Sequence, residues 1–393
     1  MVRKTYKHMT YDISTDIRYI GVDDKTIDLF EGKYAVPEGV SYNSYLILDE
    51  KIAVMDTADA RKTGEWLGNL RTELGDRTPD YVIVHHAEPD HAASLLALVR
   101  EYPSVTVVSN AKTFDILSQF YDYDFSANSL AVKEGDSLDL GRHCLNFIAA
   151  PMVHWPEVMV SYESAEKVLF SADGFGKFGA LDVDDEWDCE ARRYYFNIVG
   201  KYGAQVQALL KKAASLDIRT IAPLHGPVLR ENLGHYLSQY DTWSSYRPET
   251  EGVFIAYASI YGNTAKAARE LAALLSSRGV KVAVTDLARD DRAEALEDAF
   301  RYSRMVLAAS TYDGGIFTPM ADFLHDLGTK GYRNRRVGLI ENGSWAPMSG
   351  KKMREALESL RDVTVCGHML SLKSGFKSSD LDSLRQLADE IMA

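Results

Sequence analysis

The sequence predicts an α/β chain in two parts, a layered half of hairpins and helices followed by a doubly wound parallel sheet. Three observations carry that reading. Between about residues 45 and 224, short β runs are interrupted by helical stretches, a hairpin among them. From residue 253 onward, β and α segments alternate strictly, the pattern of a parallel sheet wound in both directions. Between the two, residues 240–250 (YDTWSSYRPET) break into polar, turn-prone residues ending near a proline. That stretch reads as a linker and sets the domains at 1–250 and 251–393. A chain of 393 residues is long enough for two full cores.

In the first half, residues 44–48 (SYLIL) and 52–56 (IAVMD) flank Asp49-Glu50-Lys51 as a hairpin. A helix is expected over 61–74, then a buried strand at 81–84 and further strands at 105–108, 145–149, 158–162 and 168–171. The second half reads as strands at 253–258, 280–285, 305–309, 336–340 and 363–365, with helices between them. The first of these helices opens near Thr264 and a last one runs from about Ser379, while Tyr302-Ser303-Arg304 reads as a turn.

Composition narrows the classes. Apolar residues at 46% and charged ones at 26% are ordinary for a globular protein. A formal net charge of -13 speaks against a nucleic-acid partner, which calls for a basic patch. No stretch approaches the roughly 20 apolar residues that span a bilayer. The N-terminus (MVRKTYKHMTYDIS) has no apolar run after its basic residues, so no leader and a cytoplasmic location are expected. Cys144, Cys189 and Cys366 are scattered without a C-x-x-C pair, which excludes a fused zinc ribbon or rubredoxin-type iron site.

The densest chemistry is His85-His86-Ala87-Glu88-Pro89-Asp90-His91, directly after the strand at 81–84. His86, Glu88, Asp90 and His91 crowd four potential ligands into one turn. Carboxylates packed together repel unless a cation compensates them, so the turn points to a metal. Three more candidates follow later β runs: His154 after 147–153, Asp173 after 168–172, and His225 after 221–224. Each alone reads equally as a cap or a hydrogen-bonded histidine. Together, beside small or proline residues at strand ends, they point to one converging site.

In the second half, Ser259-Ile260-Tyr261-Gly262-Asn263-Thr264 follows a strand and opens a helix. Such a hydroxyl- and glycine-rich turn is an anion site, because backbone N–H groups and the helix dipole face the ligand. It lacks the lysine of G-x-x-x-x-G-K-[ST] and is not G-x-G-x-x-G, so nucleoside triphosphates and dinucleotides are disfavoured. Two further loops fall at the ends of the third and fourth strands. They are Ser310-Thr311-Tyr312-Asp313-Gly314-Gly315-Ile316 and Glu341-Asn342-Gly343-Ser344-Trp345. Their glycines allow close backbone approach, and Trp345 offers a stacking face.

These strings resemble a known family. H-x-E-x-D-H, a distant histidine, the aspartate of S-A-D-G-F-G and the histidine of P-L-H-G look like the metallo-β-lactamase-fold domain of flavodiiron proteins. S-x-Y-G-N-T is similar to the phosphate loop of flavodoxins. The resemblance covers nearly the whole chain and implies a metallo-β-lactamase-like αβ/βα sandwich followed by a flavodoxin-like domain that binds FMN. Zinc hydrolases of that superfamily typically carry histidine where Glu88 stands, and a carboxylate there suits iron better. By resemblance His86, Glu88 and His154 hold one iron, Asp90, His91 and His225 the other, and Asp173 bridges them. The family leaves open whether His91 coordinates. It also carries a tyrosine near the irons, which Tyr194 and Tyr195 fit equally. A departure is Asp313-Gly314-Gly315, where relatives often carry asparagines, which leaves the flavin's redox tuning open.

FMN joined to two irons implies a reductase of diatomic gases. Two ferrous ions and a two-electron flavin together hold the four electrons that convert dioxygen to two waters. Nitric oxide reduction to nitrous oxide is the alternative with the same cofactors, and a zinc-dependent hydrolase with an appended flavodoxin domain the distant one. The resemblance further implies a separate rubredoxin-like electron donor, or a reduced deazaflavin coenzyme, and a head-to-tail homodimer or a dimer of such dimers.

Overall fold

The computed structural model describes residues 11–393; the basic start of the chain, on which the expectation of no leader largely rests, lies outside them. The chain divides into two compact units. One comprises residues up to Tyr194 together with Ala204–Tyr240, the other Tyr195–Gly203 with Asp241–Ala393.

The first unit contains a six-stranded and a five-stranded sheet. The six-stranded sheet runs Ile17–Tyr19, Tyr45–Ile47, Ala53–Met55, Tyr81–Ile83, Thr106–Ser109, Ser129–Ala131. Its first three strands are antiparallel and the rest parallel. The other sheet runs Ser137–Asp139, Cys144–Ala149, Met159–Glu163, Val168–Phe170, with Thr220–Ala222 parallel at its edge. Alternate residues explain the layering. Tyr45, Ile47, Met55, Ile83 and Val108 from one sheet form a single buried core with Leu145, Phe147, Met159 and Phe170 from the other. The helix Thr63–Leu74 buries Trp66, Leu67, Leu70 and Leu74 along one stripe and stops at Gly75, whose φ is +58°.

The second unit is a parallel sheet in the order Val282–Asp286, Thr250–Ala258, Tyr302–Tyr312, Arg335–Asn342, Val363–Leu372. The strand order reverses between the first and third strands, and ligands of such sheets bind outside that crevice. Helix Asn263–Ser277 packs Ala267, Ala268, Leu271 and Leu275 into the core shared with Val253, Ile255 and Tyr257.

Three local expectations are corrected. Helix Leu233–Ser244 runs through the first half of the expected linker, because Tyr240 and Trp243 are buried rather than solvated. The irregular connection is only residues 245–249, before the strand Thr250–Ala258. Tyr302-Ser303-Arg304 is not a turn but the start of the third strand, paired with Thr250 and Val253. The apolar run before His154 stops being strand at Ala149, so His154 stands in a loop.

Candidate metal centre and cofactor pocket

Past the strand Tyr81–Ile83 the chain reaches the end of the sheet at His85. That histidine serves as a tie: Nδ1 lies 2.5 Å from Asp56 Oδ2 and Nε2 2.8 Å from Ser161 Oγ, one partner near each sheet. Glu88 then opens the one-turn helix Pro89–Ala92, in which Asp90 and His91 are buried. The loop after Cys144–Ala149 supplies His154, the residues after Val168–Phe170 supply Asp173, and those after Thr220–Ala222 supply His225.

All seven converge in two groups, His86, Glu88, His154 and Asp173 in one, Asp90, His91 and His225 in the other. Glu88 Oε2 stands 3.1 Å from both His86 Nε2 and His154 Nε2. Asp173 Oδ2 lies 3.4 Å from His86 Nε2 and 3.3 Å from His154 Nε2. Its other oxygen, Oδ1, lies 3.1 Å from His91 Nε2 and 3.7 Å from His225 Nε2. Asp90 Oδ2 is 3.2 Å from both of those rings. Asp173 thus presents one oxygen to each group.

A metal pair fits this donor set. Spacings of roughly 3.0–3.4 Å are what two ligands keep when each is about 2.1 Å from a shared ion. Both oxygens of Asp90, Oδ2 of Asp173 and Nε2 of His225 are buried without a hydrogen-bond partner. Such orphaned charge is costly unless a cation compensates it. The electrostatics agree. Burial pushes the Glu88 and Asp173 carboxyls up, yet the hydrogen bonds and charges of the facing imidazoles outweigh it and hold both well below the usual range. Burial likewise pulls the His154 ring down, but Asp173 and Glu88 lift it to about 9. The pocket demands positive charge, which two cations would supply.

Each group is braced from behind. Glu157 Oε1 accepts from His86 Nδ1 at 2.7 Å and from the Ala87 N–H at 3.0 Å. The Ser41 carbonyl accepts from His225 Nδ1 at 2.7 Å. These partners fix which ring nitrogen faces the cluster. Neither was found by sequence reasoning. Glu157 had a signal, a lone carboxylate between Pro156 and the apolar 158–160 stretch. A backbone carbonyl has none.

The two candidate tyrosines part company. The buried Tyr194 ring stands 5.5 Å from His225 and 5.1 Å from Phe178, centre to centre. Burial first, then the charges of Asp173, Asp90 and Glu88, push its phenol well above the ordinary value, so it stays protonated. Tyr195 begins a π-helical turn, Tyr195–Val199, and packs on Phe196 and Trp243 at 5.2 and 5.5 Å. Gly176 eases a close approach: a Cβ there would sit a tight 3.0 Å from the Asp173 carbonyl and 3.5 Å from both His225 and Tyr194. A cavity of about 350 Å³ lined by Phe30, Tyr42, Arg61, Glu88 and Asp90 leads to the cluster's outer face.

In the second unit a cavity of about 480 Å³ lies outside the ends of the first, third and fourth strands. Ser259, Ile260, Tyr261, Asn263, Thr264, Ser310, Thr311, Tyr312, Asp313, Gly314, Asn342, Gly343, Ser344 and Trp345 line it. Gly262, Gly315 and Ile316 belong to the same loops but lie off its wall. Gly262 adopts φ +84° to open the helix Asn263–Ser277, with no side chain capping that end. Thr264 Oγ1 lies 2.9 Å from Ser310 Oγ and accepts from Asn342 Nδ2 at 3.2 Å, tying the three loops together. Asp313 and Gly314, at φ +48° and +66°, form the two-residue turn between Tyr312 and its strand partner Gly315. Ser374, after the fifth strand, was missed: its carbonyl accepts from Asn342 Nδ2 and its hydroxyl meets Ser344 at 2.7 Å.

FMN fits this pocket. An uncapped helix N-terminus faces a phosphate, and Tyr261 and Trp345, 92% and 93% exposed, offer flat faces that a planar ring would cover. Trp345 is therefore no core residue.

A seven-residue N/O cluster in one α/β unit and a phosphate-and-ring pocket in a doubly wound one define a two-cofactor oxidoreductase. The comparisons agree. The family model described as ODP family beta lactamase matches residues 40–226, and that described as flavodoxin matches 255–380. The chain is 31% identical over 350 residues to the anaerobic nitric oxide reductase flavorubredoxin of Aliivibrio salmonicida, covering 86% of this chain and 70% of that protein. It superposes on rubredoxin oxygen:oxidoreductase from Desulfovibrio gigas with TM-score 0.91 at 25% identity, over 97% of each chain. The flavodiiron protein of Giardia intestinalis shares the fold, with TM-score 0.90 at 24% identity, over 99% of this chain and 97% of that one. The chain belongs to the flavodiiron protein family, oxidoreductases that carry FMN and a diiron centre. Among the described residues no helix is long and apolar enough to cross a membrane.

Proposed function

We propose that this protein reduces dioxygen to water, with FMN passing electrons to the diiron centre. The observation that carries the reading is Asp173, whose two oxygens face two separate imidazole-carboxylate groups. In this reading His86, Glu88 and His154 hold one iron, Asp90, His91 and His225 the other, and Asp173 joins them. Bound there, the irons and the flavin supply the four electrons that dioxygen takes on becoming two waters. The surrounding residues do the rest. Glu157 and the Ser41 carbonyl orient the rings of His86 and His225. Tyr194, kept protonated beside His225, is the donor assigned to the reacting oxygen.

Nitric oxide reduction is the second reading, supported by the higher identity to a protein named for that activity. Anaerobic turnover of the flavin-reduced protein, with dioxygen and nitric oxide compared side by side, separates the two. A zinc hydrolase is disfavoured because Glu88 sits between His86 and His154, and elemental analysis checks it. Two irons per chain are expected; zinc alone at full occupancy with activity intact would defeat the reading.

Electrons come from a separate rubredoxin-like protein or a reduced deazaflavin coenzyme. The active unit is a head-to-tail homodimer in the cytoplasm. An iron-less Asp173→Ala chain and a flavin-less Thr264→Glu chain, each inactive, then regain part of the activity as mixed dimers. Verified mixed dimers that stay inactive would rule the arrangement out.

A further inference from the structure

A third cavity lies between helix Gly203–Ala213 and the outer face of the five-stranded sheet. Strand residues that turn away from the shared core, among them Ile148, Val160 and Leu169, form one wall, and Val206 and Leu209 of the helix form the other. At the end nearest the cluster the lining includes Val153 and Gly174, the immediate neighbours of His154 and Asp173.

The wall is apolar in effect as well as in composition. Its two hydroxyl groups are engaged elsewhere: Ser171 donates to the Gly174 carbonyl at 2.7 Å, and the Tyr240 oxygen accepts from the Phe175 N–H at 2.5 Å. The cavity gives the centre of a water-sized sphere about 20 Å³ in which to move. That exceeds the ~10–15 Å³ that would hold one water, yet a water there would lack the two to four polar partners it requires. Apolar voids of this kind stay dry and take apolar guests such as xenon.

We infer that this cavity is a holding site for a small apolar diatomic gas, the enzyme's own substrate, lined in part by the sequence neighbours of two metal ligands. The inference rests on the reading of the protein as a reductase of dioxygen or nitric oxide. A dry pocket that concentrates such a gas raises its local supply without offering water the same route. It lies apart from the polar cavity at Arg61, Glu88 and Asp90, which suits water and protons.

Xenon tests the site without reference to activity. In crystals of the full holoprotein under xenon pressure, one xenon atom is expected between Val206 and Leu169, and it should vanish in Val206→Phe. The same variant should raise KM for the gas several-fold while kcat, iron and FMN content stay unchanged. Ala213→Val, a milder filling from the same helix, should shift KM in the same direction if Val206→Phe folds poorly. Val206→Ala should keep the xenon atom and leave KM unraised. No xenon density, or filling variants with unaltered KM, would overturn the holding site. A native protein that binds xenon but turns over neither gas would defeat the proposed function instead, and with it the assignment of this cavity to a substrate.

Discussion

The two cofactor regions are built on opposite plans. The metal cluster gathers side chains from distant parts of the chain into a buried space, where the rings of His86 and His225 are braced from behind and carboxylate oxygens are left for a cation. The flavin pocket is assembled from contiguous loops at neighbouring strand ends, where an open helix end and exposed rings meet the ligand. A buried polar cluster is unforgiving, because removing one charged member leaves its partners uncompensated. A loop pocket is more divisible, because each loop supplies its own share of the contacts.

Five substitutions test that contrast. Asp173→Ala removes the one residue whose two oxygens face both metal groups, so both irons should be lost and turnover should fall to background, with the flavin spectrum intact. Retention of both irons and normal turnover would reduce Asp173 to a cap. Thr264→Glu places a charge beside the phosphate position and should expel FMN while iron stays bound; unchanged flavin after dialysis would place the phosphate elsewhere. Glu157→Gln keeps the shape behind His86 but weakens the hold on its ring, so iron affinity should drop about 10–100-fold with FMN unaffected. Competition with a chelator measures it. Tyr194→Phe should cost turnover about tenfold through one lost hydrogen bond, with metal and flavin content unchanged. Tyr195→Phe should leave turnover as it was, and equal losses for the two would break the distinction drawn between them.

The same contrast explains what could be read in advance. The His86–His91 turn and the Ser259–Thr264 loop declare themselves because their chemistry is local in sequence. The sheet of the second unit is legible for the same reason, since strict β-α alternation leaves few topologies. His154, Asp173 and His225 were readable only as a set, each being an ordinary residue after a β run. Glu157 and Ser41 were not read, because a bracing contact depends on what the fold brings behind a ring. Residues 240–244 misled because Tyr240 and Trp243 sit among polar neighbours, and only tertiary burial makes that stretch helical. Ser374 escaped because it follows the fifth strand, beyond the loops that carry the phosphate and ring contacts.

The wide spacing of the metal ligands along the chain also sets an order of events during synthesis. His86, Glu88, Asp90 and His91 leave the ribosome together, but Asp173 and His225 follow on the order of ten seconds later at ordinary elongation rates. Through that interval the nascent chain exposes an incomplete chelator, two imidazoles and two carboxylates without their bridge. The full ligand set therefore exists only once His225 has been made.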